Sequence, residues 1–397
     1  MISPESAWDR IAAAVPPLGV ERIARRAALG RVLAAPLAAT GDLPGHDVTA
    51  LDGFALAGEV APGAWLEVAG QLPAGAEPGA RVAPGQALEI WTGAPVPAGA
   101  DRIVAVESTE RDAAGRVRVL EPPAAGHAIR RAGEIFRAGA EILPARTRLT
   151  PAALALVASQ GVAEVEVHRL PRLAVLATGD EVVAPDQRPR PGGVRDSHTD
   201  YLLAAAAELG LPVEALGIAR DDPRELARRI AAAFERADVV LTCGGVSMGG
   251  ADYLPRVLAE LGCTTLFHGV AVQPGKPLLA ARRGTALAFG LPGNPASVMV
   301  AFRLFVRPAL DRLAGGDSAF WSDARRQPLA APMAAGKARD RFVPARSEGT
   351  GAEARVRPLG VRGSHDLATF GVADRLIRVR AGAPAHAIGE SVEVVDW

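Results

Sequence analysis

Three polar loops in the second half of the chain contain residues suited to binding a phosphorylated ligand. They span residues 178–181, 244–250 and 292–294, and each follows an apolar run that predicts a strand. Glycine lets backbone N–H groups approach a ligand, and a helix that begins after a loop favours an anion at its N-terminus. Strand–helix turns also need glycine and a cap for structural reasons alone, so a single loop leaves both interpretations open. Because ligands collect at the carboxyl ends of parallel strands, the three loops together favour a binding site.

The carboxylates beside these loops are candidate metal ligands. Asp180, Glu181 and Asp252 could hold Mg²⁺ through one or two direct oxygens, with phosphate and water completing the shell, or they could be ordinary solvated acids. We assign Asp180 and Asp252 to the metal. The residues expected to contact the substrate are Thr178, Gly179, Asp180, Gly244, Gly245, Ser247, Gly249, Pro292, Gly293, Asn294 and Pro295.

A lysine on a stiff turn is a second candidate for anion binding. Residues 273–277 read Gln-Pro-Gly-Lys-Pro, a sequence that suits a helix poorly and places Lys276 where it can meet an oxyanion. Only two of the 44 basic residues are lysines, so a lysine could stand where a guanidinium does not serve. Lys276 could equally be a surface residue on a turn. For Lys337, the other lysine, we prefer chance as the explanation.

Two further turns lie among short β-prone segments. Asp52 precedes Gly53 and an aromatic residue, and Thr92 offers a hydroxyl on the rigid loop 91–97. From the residues alone, Asp52-Gly53 is first of all a turn signal.

Several classes of protein lack support in this sequence. The loop at Gly244 has no GK[ST] of a P-loop, and no GxGxxG dinucleotide fingerprint is present. Lys+Arg and Asp+Glu both number 44, and this balance disfavours a nucleic-acid partner. Cys243 and Cys263 lack the spacing of a zinc site or a disulfide framework. The sequence has no candidate membrane span and no signal-peptide pattern at its start, so we expect a cytoplasmic protein without a membrane partner.

The elements that position these loops predict a multidomain α/β protein. Alternating strands and helices predict a parallel α/β domain, short β-prone pieces predict a β-rich insert, and period-2 segments predict an all-β C-terminal domain. A helix predicted at 21–37 contributes to a helical, elongated N-terminal layer. The expected domains are 1–46 with 142–170 (N-terminal layer), 47–141 (β-rich insert), 171–316 (central α/β domain) and 317–397 (C-terminal β domain).

Taken in order, the loops resemble those of one family across nearly the whole chain. It is the MoeA-type molybdopterin molybdenumtransferase family, related to the E domain of gephyrin. The resemblance implies a homodimer whose active cleft lies between the central domain of one subunit and the β-rich insert of the other. It also implies the reaction: molybdate is inserted into adenylylated molybdopterin, with Mg²⁺ assisting and AMP released. The matching segments are 51–55, 92–97, 178–181, 244–249, 274–277 and 290–295.

The resemblance also implies roles for particular residues. The loops of the central domain would hold the pterin phosphate, and Lys276, Arg339 and Ser364 would contact molybdate. Several positions depart from the family's pattern, among them Ile135, which stands where an acid follows Gly-Glu, and Gln273, which stands where a lysine is common. The implied catalytic residues are Asp52, Thr92, Glu181, Asp252 and Lys276.

We therefore predict an active molybdenumtransferase of molybdenum cofactor biosynthesis, which acts on small molecules and has molybdoenzymes or other cofactor-biosynthesis proteins as partners. The alternative, motivated by Ile135 and Gln273, is a catalytically impaired paralogue that binds molybdopterin or the finished cofactor for storage or delivery. A hydrolase on the same α/β fold leaves the Asp52 and Thr92 loops unexplained. A scaffolding role stays open.

Overall fold

The protein divides into two compact units in the computed structural model, which describes residues 1–246 and 253–397. The large unit comprises Met1–Arg22 and Glu166–Trp397, and the inserted unit comprises Ile23–Val165. The predicted site residues Ser247, Gly249 and Asp252 lie outside the described residues. Among the described residues, no helix is long and apolar enough to cross a membrane. The architecture is the predicted mixed α/β type, and the predicted domain boundaries stay a prediction.

Several helices begin with proline in the first turn and a capping side chain before it. Ser3, Thr150 and Asp222 each accept a hydrogen bond from the backbone N–H three residues further on, at 3.1, 3.2 and 2.8 Å. The helices are α1 (Pro4–Ala14), α2 (Pro151–Ser159), α3 (His198–Glu208), α4 (Pro223–Phe234), α5 (Leu254–Glu260), α6 (Pro295–Ala301), α7 (Arg307–Leu313) and α8 (Leu367–Gly371). A π-helical segment, Phe302–Val306, joins α6 to α7.

The inserted unit is built on one twisted sheet with both faces buried. Its strands and those at its borders are β1 (Val20–Ala24), β2 (Leu37–Ala38), β3 (Val48–Thr49), β4 (Gly53–Leu56), β5 (Trp65–Leu72), β6 (Gln86–Ile90), β7 (Arg102–Ala105), β8 (Thr109–Arg111), β9 (Val117–Val119), β10 (Ile129–Arg130), β11 (Glu141–Leu143) and β12 (Glu164–His168). The sheet order is β7-β4-β6-β5-β9-β8, and β1–β12, β2–β11 and β3–β10 form separate pairs. Phe54 and Leu56 pack on one face of β4, and Ala55 packs on the other.

The helix predicted at 21–37 is wrong. The segment begins with β1, in which exposed and half-buried residues alternate, and continues in a 3₁₀ turn, Arg25–Ala27. The β-branched Val20 and Ile23 favour a strand, and Gly30, at a φ of +75°, interrupts a helix. Within the inserted unit, α2 is therefore the helix of the predicted N-terminal layer. The rest of that layer contains the short strands β1, β2, β11 and β12.

The central sheet of the large unit is parallel where the sequence predicts a parallel sheet. Its region contains β13 (Leu173–Thr178), β14 (Val182–Val183), β15 (Val194–Arg195), β16 (Val213–Ala219), β17 (Val239–Cys243), β18 (Thr264–His268), β19 (Val272–Gln273), β20 (Leu279–Arg283) and β21 (Ala286–Leu291). The order is β16-β13-β17-β21-β20-β18, with the first four strands parallel and the last two joined antiparallel. The antiparallel edge departs from the parallel sheet predicted from the sequence, and it forms because a tight turn at Gly284 (φ +58°) joins β20 to β21.

The C-terminal part of the large unit forms a second sheet. Its strands are β22 (Arg325–Pro328), β23 (Asp340–Glu348), β24 (Arg355–Pro358), β25 (Arg375–Val379) and β26 (Ser391–Asp396). The order is β19-β23-β25-β26-β22, with β24 also on β23. This region was expected to be all β, but it also contains α8, which is capped by Asp366. The strand β19 comes from the central region, so the turn after it lies beside the start of β23.

Candidate functional site

The described parts of the three predicted loops meet at the carboxyl ends of β13, β17 and β21. The Thr178 hydroxyl donates to the carbonyl oxygen of Cys243 at 3.1 Å, and the Gly244 N–H donates to that of Leu291 at 3.0 Å. A Cβ atom on Gly244 would lie 2.7 Å from the Thr178 carbonyl oxygen, and Gly244 has a φ of +99°. Only glycine fits this position, so the close approach of the loops depends on it.

The third loop, which contains the predicted substrate contacts 292–295, leads into the start of α6. A Cβ atom on Gly293 would lie 3.9 Å from the Cα of Gly244, so this loop is beside the second one. Pro295 occupies the first turn of α6, and Asn294 occupies the N-cap position. The Asn294 side chain makes no capping hydrogen bond within the described part of the chain. Its amide is therefore available to a ligand.

Carboxylates gather at the first loop. The Asp221 N–H donates to Asp180 Oδ1 at 3.4 Å, and a Cβ atom on Gly179 would lie 2.8 Å from both carboxylate oxygens of Glu181. Burial, together with the nearby carboxylates of Glu181 and Asp180, raises the pKa of Asp221. Within residues 1–246 and 253–397, no group of three His, Cys, Asp or Glu side chains is arranged to hold a metal ion by itself.

A cavity of about 710 Å³ in the large unit contains all three residues predicted to contact molybdate. Lys276, Arg339 and Ser364 line it, and Pro292, Gly293 and Asn294 connect it to the third loop. The Ser364 carbonyl oxygen accepts from the Ala296 N–H at 3.1 Å, which fixes the segment around Ser364 against the start of α6.

The cavity is strongly cationic. Besides Lys276 and Arg339, it is lined by Lys337 and Arg341, and no acidic residue is among its described lining residues. Arg339 Nη1 donates to the Val272 carbonyl oxygen at 3.2 Å and Arg341 Nη2 to that of Ala334 at 3.0 Å. Each guanidinium has five N–H donors, and each of these hydrogen bonds uses one of them. Such a cavity attracts anions.

Sequence reasoning missed Lys337 and Arg341. From the sequence, chance is the preferred explanation for Lys337, yet both lysines of the chain line one cavity. The scarcity of lysine was the signal that could have identified it. Arg341 is the register partner of Gln273 in the parallel pair β19–β23, so the two residues lie on adjacent strands. No local pattern reveals this pairing, because the two residues are far apart in the sequence.

Asp52 and Thr92 form a pair in the inserted unit. The backbone N–H and the hydroxyl of Thr92 both donate to Asp52 Oδ1, each at 2.7 Å. The N–H and then the hydroxyl lower the pKa of Asp52, so this carboxylate is ionised near neutral pH. Gly53 fixes the turn, since a Cβ atom there would lie 1.9 Å from the Val104 carbonyl oxygen.

Three family models match successive parts of the chain. Residues 2–161 match the MoeA N-terminal region (domains I and II), and residues 174–312 match a probable molybdopterin binding domain. Residues 326–397 match the MoeA C-terminal region (domain IV).

Relatives and solved structures agree with these matches. A molybdopterin molybdenumtransferase of Nostoc sp. is 40% identical over 298 residues, which is 73% of this chain and 68% of that protein. A molybdopterin molybdenumtransferase of Staphylococcus aureus is 30% identical over 94% of this chain and 90% of its own length. The crystal structure of a molybdopterin biosynthesis MoeA protein from Pyrococcus horikoshii is 30% identical, with a TM-score of 0.81 over 99% of this chain and 98% of that one. The chain therefore belongs to the MoeA-type family of molybdopterin molybdenumtransferases, enzymes of molybdenum cofactor biosynthesis.

Proposed function

We propose that this enzyme inserts molybdate into adenylylated molybdopterin and releases AMP. The observation that carries the proposal is the cationic cavity, in which Lys276, Arg339 and Ser364 lie together beside the Pro292–Asn294 loop. An ammonium group, a guanidinium and a hydroxyl are suitable donors for a tetrahedral oxyanion. The loops at the ends of β13, β17 and β21 bring backbone N–H groups and a helix start close to the place where a phosphorylated pterin would lie.

The proposed catalytic set is Asp52, Thr92, Glu181, Asp252 and Lys276. Lys276 is exposed on its turn and has no ion pair among the described residues, so its charge is available to the oxyanion. The hydrogen bonds from Thr92 keep Asp52 ionised and fix its orientation. Preorganised groups of this kind stabilise charge that develops during a reaction.

Mg²⁺ fits the carboxylates at the first loop. Asp180 and Glu181 lie close enough to Asp221 to raise its pKa, so negative charge accumulates there. Magnesium is commonly held by one or two carboxylates together with substrate phosphates, and Asp180 would be one of these ligands, with Asp252 as the proposed second. When bound, the ion would neutralise charge on the phosphate groups. Equilibrium dialysis with Mg²⁺ and AMP should show weaker metal binding in Asp180→Asn than in the unmodified chain.

The family resemblance also motivates a homodimer with a shared site. If the site combines residues of two copies, Lys276→Ala and Asp52→Ala chains are each inactive alone. Mixed after brief denaturation and refolding, they should regain about a quarter of full activity by random pairing of subunits. Light scattering would give the mass of the assembly, and fractionation of cells would test the predicted cytoplasmic location.

The decisive experiment mixes purified protein with adenylylated molybdopterin and Mg²⁺ and follows AMP release with and without molybdate. Molybdate-dependent release is the expected result. Tight pterin binding without release would overturn it in favour of the storage or delivery paralogue, which the named relatives do not favour. Lys276→Ala should weaken the use of molybdate more than the binding of pterin, and equal loss of both would contradict the role of Lys276.

A further inference from the structure

The cavity around Lys276 carries more positive charge than one molybdate ion can balance. Four cationic side chains line it, and its described lining contains no Asp or Glu. Molybdate is a dianion, so half of these cations are left without a counter-charge. Concentrating cations without partners is unfavourable unless a bound anion offsets their repulsion.

The size of the cavity leads to the same conclusion. Its volume of about 710 Å³ lies within the range of roughly 300–1,000 Å³ that is typical of pockets for organic ligands. A single tetrahedral oxyanion occupies only a small part of this space. Apolar side chains, including Met333, Phe342 and Phe370, also line the cavity. An organic anion with an apolar body therefore suits it better than an inorganic ion alone.

If Lys276 and Arg339 balance the two charges of molybdate, as proposed above, Lys337 and Arg341 are the cations that remain without a counter-charge. The backbone of Lys337 is fixed, because its carbonyl oxygen accepts from the Gly382 N–H at 2.9 Å. Its side chain is exposed and forms no ion pair within the described residues. Arg341 is held by one hydrogen bond to Ala334, and its buried Nε has no hydrogen-bond partner in the part of the chain that is described. Both side chains thus have donors available to a ligand in the cavity.

The acid nearest to these cations in the sequence does not neutralise them. Asp340 lies between Arg339 and Arg341, but its buried carboxylate accepts from Arg378 Nε at 2.7 Å and from the Ala381 N–H at 2.9 Å. Arg378 also pairs with Glu5. The positive charge of the cavity is therefore maintained by the surrounding structure.

We propose that Lys337 and Arg341 form a second anion subsite, which binds a phosphate group of the organic substrate while Lys276, Arg339 and Ser364 hold the oxyanion. This inference rests on the proposed function and names the part of the substrate that these two residues recognise. A lysine and an arginine together suit a phosphate group, because one supplies a compact charge and the other a fork of N–H donors.

Calorimetric titration of the full chain with molybdate and with AMP tests this subsite. In the unmodified chain, AMP should bind equally well with and without saturating molybdate. Lys337→Met and Arg341→Gln should each weaken AMP binding about tenfold or more, as expected for a lost charged hydrogen bond, and change molybdate binding less than about twofold. Lys276→Met should weaken molybdate binding about tenfold or more and change AMP binding less than about twofold. Inorganic pyrophosphate should compete with AMP, whereas adenosine should not, if the phosphate is what is recognised.

The matched control is Arg346→Gln, which removes the same charge from the same strand outside the cavity. Competition between molybdate and AMP, equal loss of both ligands in Lys337→Met, or an equal effect of the control would each overturn the subsite. Absence of AMP binding by the unmodified chain would also overturn it. The proposed function is tested separately. If the unmodified chain releases AMP in a molybdate-dependent way but Lys337→Met binds AMP with unchanged affinity, the subsite alone is refuted. Independent binding of both anions without AMP release retains the subsite and refutes the transferase.

Discussion

The buried carboxylate of Asp340 is paired with Arg378, whereas the arginines beside it in the chain donate elsewhere. Arg378 Nε donates to Asp340 at 2.7 Å, while Arg339 and Arg341 donate to backbone carbonyl oxygens. Asp340 begins β23, and Arg378 lies on the neighbouring β25. This pair therefore anchors the start of the strand that carries Arg341 into the cavity.

Removing Arg378 should destabilise the large unit strongly. Only 4% of the Arg378 side chain and 10% of the Asp340 side chain are exposed. Arg378→Met leaves the carboxylate buried without its partner, and such a change lowers the free energy of unfolding by about 3–5 kcal/mol. Urea unfolding followed by tryptophan fluorescence measures this loss.

Arg380→Met is the control, because Arg380 pairs with Glu393 at the surface, where 59% of the arginine side chain is exposed. An exposed pair contributes at most about 1 kcal/mol. Similar losses in the two variants would show that burial of the Asp340–Arg378 pair is not what matters.

Thr92 should control the ionisation of Asp52. The pKa of Asp52 is lowered by the Thr92 N–H first and by the hydroxyl second. Thr92→Ala removes the hydroxyl alone, so the pKa should rise part of the way to its ordinary value, and Thr92→Ser should restore it. NMR titration of carbon-13-labelled aspartate measures this shift.

The sign of the effect on stability follows from the lowered pKa. A carboxylate whose pKa is lower in the folded state stabilises that state above its unfolded pKa, and the contribution is lost as the pH falls through the folded pKa. Stability conferred by the Asp52–Thr92 pair should therefore disappear only under acidic conditions. An Asp52 pKa that does not change in Thr92→Ala would contradict the assigned contact.

The junction of the three loops should depend on Gly244. In Gly244→Ala, the new Cβ atom would meet the Thr178 carbonyl oxygen at 2.7 Å and its hydroxyl at 2.8 Å. Gly262→Ala is a matched control, because Gly262 also has a positive φ, +77°, but has open space around it. The control should lose about 1–2 kcal/mol from backbone strain alone.

Gly244→Ala should lose clearly more stability than the control and should also lose pterin binding, since the loops must separate to admit the methyl group. Thermal unfolding and a pterin fluorescence titration report the two effects. If the two variants behave alike, the close approach of the loops is not needed for binding.

The sequence predicted the parts of the fold that depend on local patterns. Short, mostly apolar runs with glycine at or near their ends identify β13, β17 and β21, and a cap followed by proline identifies α1 and α4. The same reasoning failed at 21–37, where alternation over five residues was too short to be distinguished from a helix pattern. It also failed to identify Lys337 and Arg341 as cationic residues of the cavity. Lys337 and Arg341 reach the Lys276 turn because β19 pairs with β23 across a long stretch of sequence, and no local signal encodes that pairing.

Ile135 provides the sharpest test of the departures from the family's pattern. The residue is 64% exposed, and its backbone N–H donates to the Leu43 carbonyl oxygen at 3.0 Å, a bond that any residue except proline could make. Two nearby carboxylates are hydrogen-bonded to the turn that contains Ile135. Glu134, within the turn, accepts from the Arg131 N–H at 2.7 Å, and Asp47, from a separate segment, accepts from the Ala132 N–H at 2.9 Å. These bonds keep both carboxylates directed at the backbone of residues 131 and 132, so neither is expected to replace the missing acid.

Ile135→Asp should therefore raise the rate of molybdate-dependent AMP release by about tenfold or more, in keeping with the contribution of one positioned charged group. Stability should change by no more than about 0.5 kcal/mol, because the position is at the surface. Ile135→Asn, which adds polarity without charge, should not give this gain. If Asp and Asn behave alike, or if neither changes the rate, the acid of the family's pattern is not what limits turnover in this chain and another group fulfils its role.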